Sequence, residues 1–150
     1  MNQREPAVLL VEDEPGDAFL VRRALEKASI PLRLHHVADG EEAIRYLAGE
    51  PPFGDRRVCQ LPVLVILDLK LPRRSGFDVL HWRAERLLPR RIPVVVMTSC
   101  VGEEDVNRAY ELGADSYLVK PVAPEAFQEL KRRAAAYWLE VNNQPLLGIS

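Results

Sequence analysis

Apolar residues occur along this chain in short unbroken runs, and each run is followed by a segment with helical spacing. The run 63–67 reaches Asp68 without a polar residue, which is typical of a parallel strand buried on both faces. A helix is predicted after it, from Gly76 to Leu88. The other predicted strands are 7–11, 32–37, 93–97 and 116–119, and the other predicted helices are 15–29, 39–49, 103–112 and 124–141. The helical positions predicted to be buried are Ala18, Val21, Leu25, Ala28, Ala43, Ile44, Leu47, Phe77, Leu80 and Ala84.

Strand and helix alternate five times, and this alternation predicts a single α/β domain. Parallel strands joined by right-handed crossovers carry helices on both faces of the sheet. We therefore expect a flavodoxin-like, doubly wound sheet of five parallel strands in the order 2-1-3-4-5. The last helix is predicted to extend beyond the sheet, so that the domain covers 1–142 and a short tail covers 143–150.

Composition and charge narrow the classes of function. Apolar residues make up 47% of the chain and charged residues 28%, as in ordinary globular proteins. The net charge of −2 gives no reason to expect a nucleic-acid partner or a membrane surface. Cys59 and Cys100 lack the spacing of metal ligands and are predicted to be free thiols in a reducing compartment. Without a signal-peptide pattern or a long apolar run, the sequence favours a cytoplasmic protein.

Acidic residues follow two of the predicted strands. Glu12 and Asp13 come after the first strand and Asp68 after the third, and these strands are neighbours in the predicted order. Because ligands of open α/β sheets bind beyond the carboxyl ends of the strands, the three carboxylates are expected at one site. Thr98 and Lys120 follow the fourth and fifth strands and are expected along the same edge.

This combination of residues predicts phosphoryl chemistry. Two carboxylates ~4 Å apart repel by about 4 kcal/mol at an effective dielectric constant near 20, which favours a bound cation. Oxygen ligands without histidine or thiolate favour Mg²⁺. Asp68 is then a candidate nucleophile toward phosphorus, with Lys120 and Thr98 as donors to phosphate oxygens. Either donor alone is equally well explained as a surface residue at a strand end, so the prediction depends on the whole set.

Five segments together resemble the receiver domains of response regulators in two-component signalling. They are 9–13, 67–72 with Gly76, 97–99, 111–117 and 117–121. The resemblance spans residue 7 to about residue 137 and implies the same flavodoxin-like (CheY-like) fold. It also implies that the chain is a phosphoacceptor rather than an enzyme, catalysing only its own phosphorylation and dephosphorylation.

The resemblance assigns a metal site around Asp68, which would be the phosphoacceptor. Asp13, Asp68 and the backbone carbonyl of Lys70 would bind Mg²⁺, for which Mn²⁺ can substitute, and Glu12 would act through a metal-bound water. Lys70 and Cys100 occupy positions that tune the lifetime of the phosphoryl group in the family. We predict a long-lived phosphoaspartate if Lys70 obstructs attacking water; the alternative, that Lys70 has no effect, remains open.

The resemblance also assigns a switch. Lys120 would pair with the acyl phosphate, Thr98 would move toward it, and the inward turn of Tyr117 would accompany Thr98. Members of the family commonly have a cis peptide bond at the position of Lys120-Pro121. The output face would be formed by the fourth helix, the fifth strand and the last helix.

The end of the chain predicts a partner. Tyr137, Trp138 and Leu139 lie beyond the expected domain edge, where exposed apolar side chains indicate a binding surface. The alternative is that they pack on the protein's own core. The chain is similar to single-domain regulators that partner bacterial phytochromes and are often dimers. A sensor histidine kinase, possibly a bacteriophytochrome, and a second copy of the chain are therefore the expected partners.

Two other functions compete with this interpretation. A Mg²⁺-dependent phosphohydrolase would use Asp68 as a turnover nucleophile, but the chain has no second acid two residues later and no cap domain. A phosphorylation-independent binding module with a receiver-like fold would not need all five of the polar site residues. The sequence does not distinguish an endpoint effector from a relay intermediate or a phosphate sink.

Overall fold

The computed structural model describes residues 5–29, 32–86, 88, 91–123, 125, 126, 128 and 132. Its elements in chain order are β1 (Ala7–Val11), α1 (Pro15–Lys27), β2 (Arg33–Val37), α2 (Gly40–Ala48), β3 (Leu64–Leu67), α3 (Gly76–Ala84), β4 (Val94–Thr98), α4 (Glu103–Glu111) and β5 (Ser116–Val119). The five strands are parallel and lie in the order β2-β1-β3-β4-β5. This architecture confirms the predicted flavodoxin-like fold.

The register of the strands brings their carboxyl ends to one edge of the sheet. Val11 of β1 pairs with Leu67 of β3, and Thr98 of β4 pairs with Val119 of β5. The ladder continues one residue further, because the Asp68 N–H donates to the Val11 carbonyl at 3.1 Å. The residues that follow these strands therefore emerge side by side.

The core lies on both faces of the sheet. Leu9 and Val11 pack on one face with buried residues of α2 and α3, and Val8 and Leu10 pack on the other face with buried residues of α1. Since successive side chains of a strand point to opposite faces, both sets must be apolar. This explains why β1 and β3 have no alternation of polar and apolar residues.

The first two helices begin where the sequence predicts and α2 also ends there, whereas α1 ends at Lys27 rather than at Ser29. The Glu14 carboxylate accepts from the Gly16 N–H at 3.3 Å and precedes Pro15 in the first turn of α1. The Asp39 carboxylate accepts from the Glu42 N–H at 2.8 Å at the start of α2. Gly49 ends α2 in the left-handed conformation, with φ of 73°.

Helix α3 differs from the sequence prediction at its end. It starts with a capping box between Ser75 and Asp78, but it ends at Ala84 rather than at Leu88. Leu80 is fully buried as predicted, whereas Phe77 is only partly buried. The prediction that Ala84 is buried is wrong, because the helix ends at this residue, one turn beyond Leu80, and leaves it exposed.

Other predictions concern the backbone, the thiols and the chain end. The Lys120-Pro121 peptide bond is cis, as expected, and neither Cys59 nor Cys100 forms a disulfide. Within the described part of the chain, no helix is long and apolar enough to cross a membrane. Of the predicted last helix, residues 125, 126, 128 and 132 are described and are helical. The extension of this helix, the boundary at residue 142 and the tail lie outside the described residues, as do Tyr137, Trp138 and Leu139.

Candidate functional site

Asp68 lies directly after β3 and is buried, with 7% of its surface exposed. Its Oδ1 accepts hydrogen bonds from the Thr98 hydroxyl at 2.7 Å and from the Lys70 backbone N–H at 3.2 Å. Its Oδ2 accepts a hydrogen bond from the Lys120 ammonium at 2.9 Å. Burial alone would raise the pKa of Asp68, but the hydrogen bonds from Lys120 and Thr98 outweigh it and lower the pKa overall. The carboxylate is therefore ionised at neutral pH and oriented through both oxygens.

The start of α3 packs directly against the backbone of Asp68. The Gly76 N–H donates to the Leu69 carbonyl at 2.9 Å. A Cβ at Gly76 would collide with the Asp68 carbonyl oxygen and would lie 2.7 Å from the Leu69 Cα. Only glycine allows this approach, so Gly76 fixes the segment that carries Asp68.

Lys120 lies at the end of β5 and contacts three carboxylates. Its Nζ donates to Glu12 Oε1 at 2.6 Å, to Asp17 Oδ2 at 2.9 Å and to Asp68 Oδ2 at 2.9 Å. Only 16% of its side chain is exposed. Burial lowers the pKa of Lys120, but the hydrogen bonds to Asp17, Glu12 and Asp68 raise it overall above its ordinary value. The ammonium is therefore a fixed positive charge at the centre of an acidic site.

Glu12, Asp13 and Asp68 form the acidic part of this site. Each offers a carboxylate oxygen, and these oxygens all lie within 4.8 Å of one another. Burial raises the pKa of Glu12 to about 7; the hydrogen bond from Lys120 opposes the shift, and the negative charge of Asp68 adds to it. Glu12 is therefore the member of the cluster whose charged form is most disfavoured by burial.

The donor atoms of this cluster fit a hard divalent cation. All three are carboxylate oxygens, as magnesium and manganese sites prefer, and the group contains no histidine or thiolate. Asp13 is exposed while Glu12 and Asp68 are buried, so the site is open to solvent on one side. An open side suits an ion that retains several waters.

A chain of contacts connects Asp68 to the surface near α4. Thr98, which is fully buried, donates to Asp68 and lies 3.5 Å from the Cys100 N–H. The Tyr117 hydroxyl donates to the Cys100 carbonyl at 2.8 Å. Burial is the main cause that raises the pKa of Tyr117 to about 12, so the phenol stays neutral and donates. The predicted residues Thr98 and Tyr117 are therefore linked through the β4–α4 loop.

Two residues at the site were not predicted from the sequence. Asp17 lies in the first turn of α1 and contacts Lys120, whereas its position predicted only a favourable interaction with the helix dipole. His36, at the end of β2, places its Nε2 2.7 Å from the Glu12 backbone carbonyl. Asp17 lies four residues after Asp13 but inside α1, so its position in the sequence shows only that it is near the acidic residues and not that it reaches Lys120.

The predicted site residues therefore fall into two groups. The structure brings together Glu12, Asp13, Asp68, Thr98 and Lys120, with the Lys70 backbone beside Asp68 and Tyr117 one contact further away. The predicted dimer or partner residues Tyr137, Trp138 and Leu139 remain predictions, because they lie outside the described residues.

Comparison with known families and sequences gives consistent matches. The model of the response regulator receiver domain matches residues 8–132. FilR2, a probable methanogenesis regulatory protein of Methanothrix harundinacea, is 39% identical over 140 residues, covering 92% of this chain and 86% of that protein. The response regulator Rcp1 of Synechocystis is 33% identical over 138 residues, covering 92% of each.

Two solved structures are similar over nearly their whole length. The phosphorylated cyanobacterial phytochrome response regulator RcpA matches with a TM-score of 0.76 at 30% identity, covering 91% of this chain and 96% of that chain. The Mn²⁺-bound form of Rcp1 matches with a TM-score of 0.74 at 32% identity, covering 93% and 99%. The likeness therefore includes a phosphorylated relative and a metal-bound relative.

Proposed function

Because this chain belongs to the response-regulator receiver family, we propose that Asp68 accepts a phosphoryl group from the phosphohistidine of a sensor histidine kinase. The observation that carries the proposal is the setting of Asp68. This carboxylate is buried, ionised and held through both oxygens, and it lies within 4.8 Å of two further carboxylates. A nucleophile toward phosphorus needs this orientation and a compensating charge nearby.

The proposed transfer is a displacement at phosphorus. A carboxylate oxygen of Asp68 forms a bond to phosphorus while the bond between phosphorus and the histidine nitrogen breaks. The electron pair stays on the imidazole nitrogen, which takes a proton. Lys120 and Thr98, which now bind the Asp68 oxygens, become donors to the phosphoryl oxygens and stabilise the charge that develops there.

The proposal includes Mg²⁺ as the metal of the acidic cluster, with Mn²⁺ as a substitute. Asp13, Asp68 and the Lys70 backbone carbonyl would hold it, and Glu12 would act through a bound water. The oxygen-only donor set supports this choice, and the Mn²⁺-bound form of Rcp1 supports a divalent ion in a relative. When bound, the ion would supply positive charge that stabilises the negative charge developing on the phosphoryl group.

Receiver-domain response regulators are generally signalling proteins rather than enzymes, and we propose the same here. The protein would catalyse only its own phosphorylation and dephosphorylation. The two competing functions are less well supported. A phosphohydrolase would need a second acid beside the nucleophile, where the chain has the exposed Lys70. A phosphorylation-independent binding module would not require the intact set of acidic and donor groups.

The proposed output and partners extend from the switch residues. Phosphorylation would shift an existing equilibrium through Thr98 and Tyr117 to the face formed by α4, β5 and the last helix. This face would control dimerisation or partner binding, with the predicted residues Tyr137, Trp138 and Leu139 in the contact. The proposed kinase is a bacteriophytochrome, which the likeness to RcpA supports, and the proposed location is the cytoplasm. Neither a nucleic acid nor a membrane is part of the proposal.

Beryllofluoride, which stands in for a phosphoryl group on a carboxylate, tests this function. The wild type is titrated with beryllofluoride and Mg²⁺ by calorimetry, and its assembly is followed by light scattering. Binding is expected for the wild type and for the control Glu26→Gln, which removes an exposed carboxylate at the far end of α1, but not for Asp68→Asn. Absence of binding to the wild type would overturn the phosphoacceptor assignment. Binding without a change in assembly would overturn only the dimer as output.

A further inference from the structure

We propose that Asp17 is a positioning residue that anchors the Lys120 ammonium at the phosphoryl site. The proposal rests on the function proposed for Asp68 and names a residue that the other site assignments leave out. Its basis is the 2.9 Å contact between Lys120 Nζ and Asp17 Oδ2, which joins the first turn of α1 to the end of β5.

All three N–H donors of the Lys120 ammonium have acceptors in the structure. A lysine ammonium carries three N–H donors, and here they meet Glu12 at 2.6 Å, Asp17 at 2.9 Å and Asp68 at 2.9 Å. These partners come from three different segments, so the ammonium is held from three directions. Any change at one partner therefore redistributes the remaining two contacts.

Two of these three partners have other tasks in the proposed function. Glu12 and Asp68 belong to the group whose oxygens lie within 4.8 Å and fit a divalent cation, and Asp68 would also carry the phosphoryl group. Asp17 is outside that group. It is the partner that remains free to hold Lys120 when a metal engages Glu12 and the oxygens of Asp68 change their bonding.

Asp17 is also attached to a rigid part of the molecule. Helix α1 begins with Pro15, is capped by Glu14, and packs Ala18 and Val21 into the core directly after Asp17. The side chain of Asp17 is 37% exposed, and it therefore reaches Lys120 from the rim of the site rather than from its interior. A carboxylate on such a helix fixes a long, flexible lysine side chain at little cost in its own freedom.

The anchor predicts a specific kinetic effect. Without Asp17, Lys120 must be ordered again at each phosphorylation, and the maximal rate is expected to fall by about fivefold to tenfold. The dissociation constant for Mg²⁺ is expected to change by less than about twofold, because Asp17 is not among the metal-binding carboxylates.

Phosphoramidate with Mg²⁺ is a suitable probe, since it contains the P–N bond that phosphohistidine contains. An Asp68 oxygen bonds to phosphorus, the P–N bond breaks, and the nitrogen leaves with its electron pair as ammonia. The rate of phosphoprotein formation is measured for the wild type, Asp17→Ala, Asp17→Glu and the control Glu26→Gln. Asp17→Ala is expected to be slow, Asp17→Glu to recover to within about twofold because it keeps a carboxylate, and the control to match the wild type.

A double-mutant cycle separates positioning from a general structural effect. If Asp17 acts through Lys120, Asp17→Ala will slow phosphorylation in the wild-type background but cause no further loss in Lys120→Ala. Equal rates for Asp17→Ala and wild type, a faster variant, or the same loss in both backgrounds would each overturn the inference. No phosphorylation of the wild type, or equal phosphorylation of Asp68→Asn, would instead overturn the function proposed for Asp68.

Discussion

At the scale of single residues, the site is defined by an imbalance of charge. One ammonium, that of Lys120, faces the carboxylates of Glu12, Asp17 and Asp68, and the carboxylate of Asp13 lies nearby. Burial is the main cause that raises the pKa of Glu12 to about 7, and the negative charge of Asp68 adds to it, whereas the hydrogen bonds from Lys120 and Thr98 lower the pKa of Asp68. A cation bound by these oxygens would therefore lower the pKa of Glu12.

Metal affinity should depend on pH because of Glu12. A proton on this carboxyl competes with the metal, and with a pKa of about 7 the competition grows as the pH falls. The apparent affinity for Mg²⁺ should therefore decrease about tenfold between about pH 8 and about pH 6. Calorimetric titration at several pH values measures this change in affinity. Glu12→Gln should abolish the pH dependence of Mg²⁺ affinity. Asp13→Asn should weaken Mg²⁺ binding at every pH but leave the pH dependence unchanged. A slope that persists in Glu12→Gln would rule out this origin.

The hydrogen bond from Thr98 to Asp68 should contribute measurably to stability. Thr98→Val keeps the shape but removes a donor to a buried, charged acceptor, and the free energy of unfolding should fall by about 1–3 kcal/mol. The lowered pKa of Asp68 contributes stability above about pH 4 that is lost as this carboxylate is protonated.

Urea unfolding of Thr98→Val at several pH values checks this contribution. The difference from the wild type should shrink below about pH 4. Thr98→Ser keeps the hydroxyl and loses a methyl group, so its cost should be about 1 kcal/mol or less and should not depend on pH. A cost of Thr98→Val that is the same at every pH would contradict an interaction with the charged Asp68.

The sequence reveals the site residues that follow β-strands but not those that reach the site from a helix or through the main chain. Asp68, Thr98 and Lys120 follow strands of a parallel sheet, and strand order alone brings them to one edge. Asp17 belongs to a helix, and its reach to Lys120 depends on how α1 packs on the sheet. His36 is within hydrogen-bond distance of the Glu12 backbone carbonyl, and no residue pattern indicates such a main-chain contact. Contacts made by helices and by the main chain therefore became visible only in the structure.

At the scale of elements, the junction of β3 and α3 determines where Asp68 lies. The N-terminus of α3 approaches the backbone of Asp68 and Leu69 so closely that Gly76 has no room for a side chain. Ser75 and Asp78 hold the helix start in place by a capping box. The helix thus supports the loop that carries Lys70 and the carboxylate.

Gly76→Ala should therefore disturb both stability and the site. The added Cβ meets backbone atoms of Asp68 and Leu69, which cannot move aside like a flexible side chain, so the loss should be about 1–3 kcal/mol. Beryllofluoride binding should weaken in parallel. Gly16→Ala is the matched control, because its Cβ would lie 3.5 Å from the nearest side-chain atom. Chemical denaturation of both variants measures the difference, and equal stabilities would contradict the close packing.

The elements themselves were largely predictable, with exceptions that have physical reasons. Strands β1 and β5 have the predicted bounds. β1 is an apolar run that is buried at every position, which gives it sharp ends, whereas β5 is only partly buried. The end of α3 was placed four residues too late, at Leu88. The segment after Ala84 has ordinary helix-forming residues, so helix propensity does not mark the end of the helix at this point.

At the scale of the whole molecule, the metal site is coupled to global stability. The carboxylates come from β1 and β3, whose side chains form both core clusters, so the site exists only when the sheet is formed. An ion that binds this arrangement and not the unfolded chain must stabilise the fold. A bound ion would also reduce the repulsion among Glu12, Asp13 and Asp68 in the folded state.

Mg²⁺ should accordingly raise the unfolding temperature. At about 100 times the dissociation constant the gain is about 2.7 kcal/mol, which corresponds to roughly 5–10 °C for a domain of this size. Chelation should reverse the gain. Differential scanning calorimetry with and without Mg²⁺ measures the shift in unfolding temperature, with Glu26→Gln as the control that keeps the full response.

Asp13→Asn should lose most of the response to Mg²⁺. Without metal it should be slightly more stable than the wild type, because one source of repulsion is gone. A metal response that is unchanged in Asp13→Asn would place the ion elsewhere on the protein.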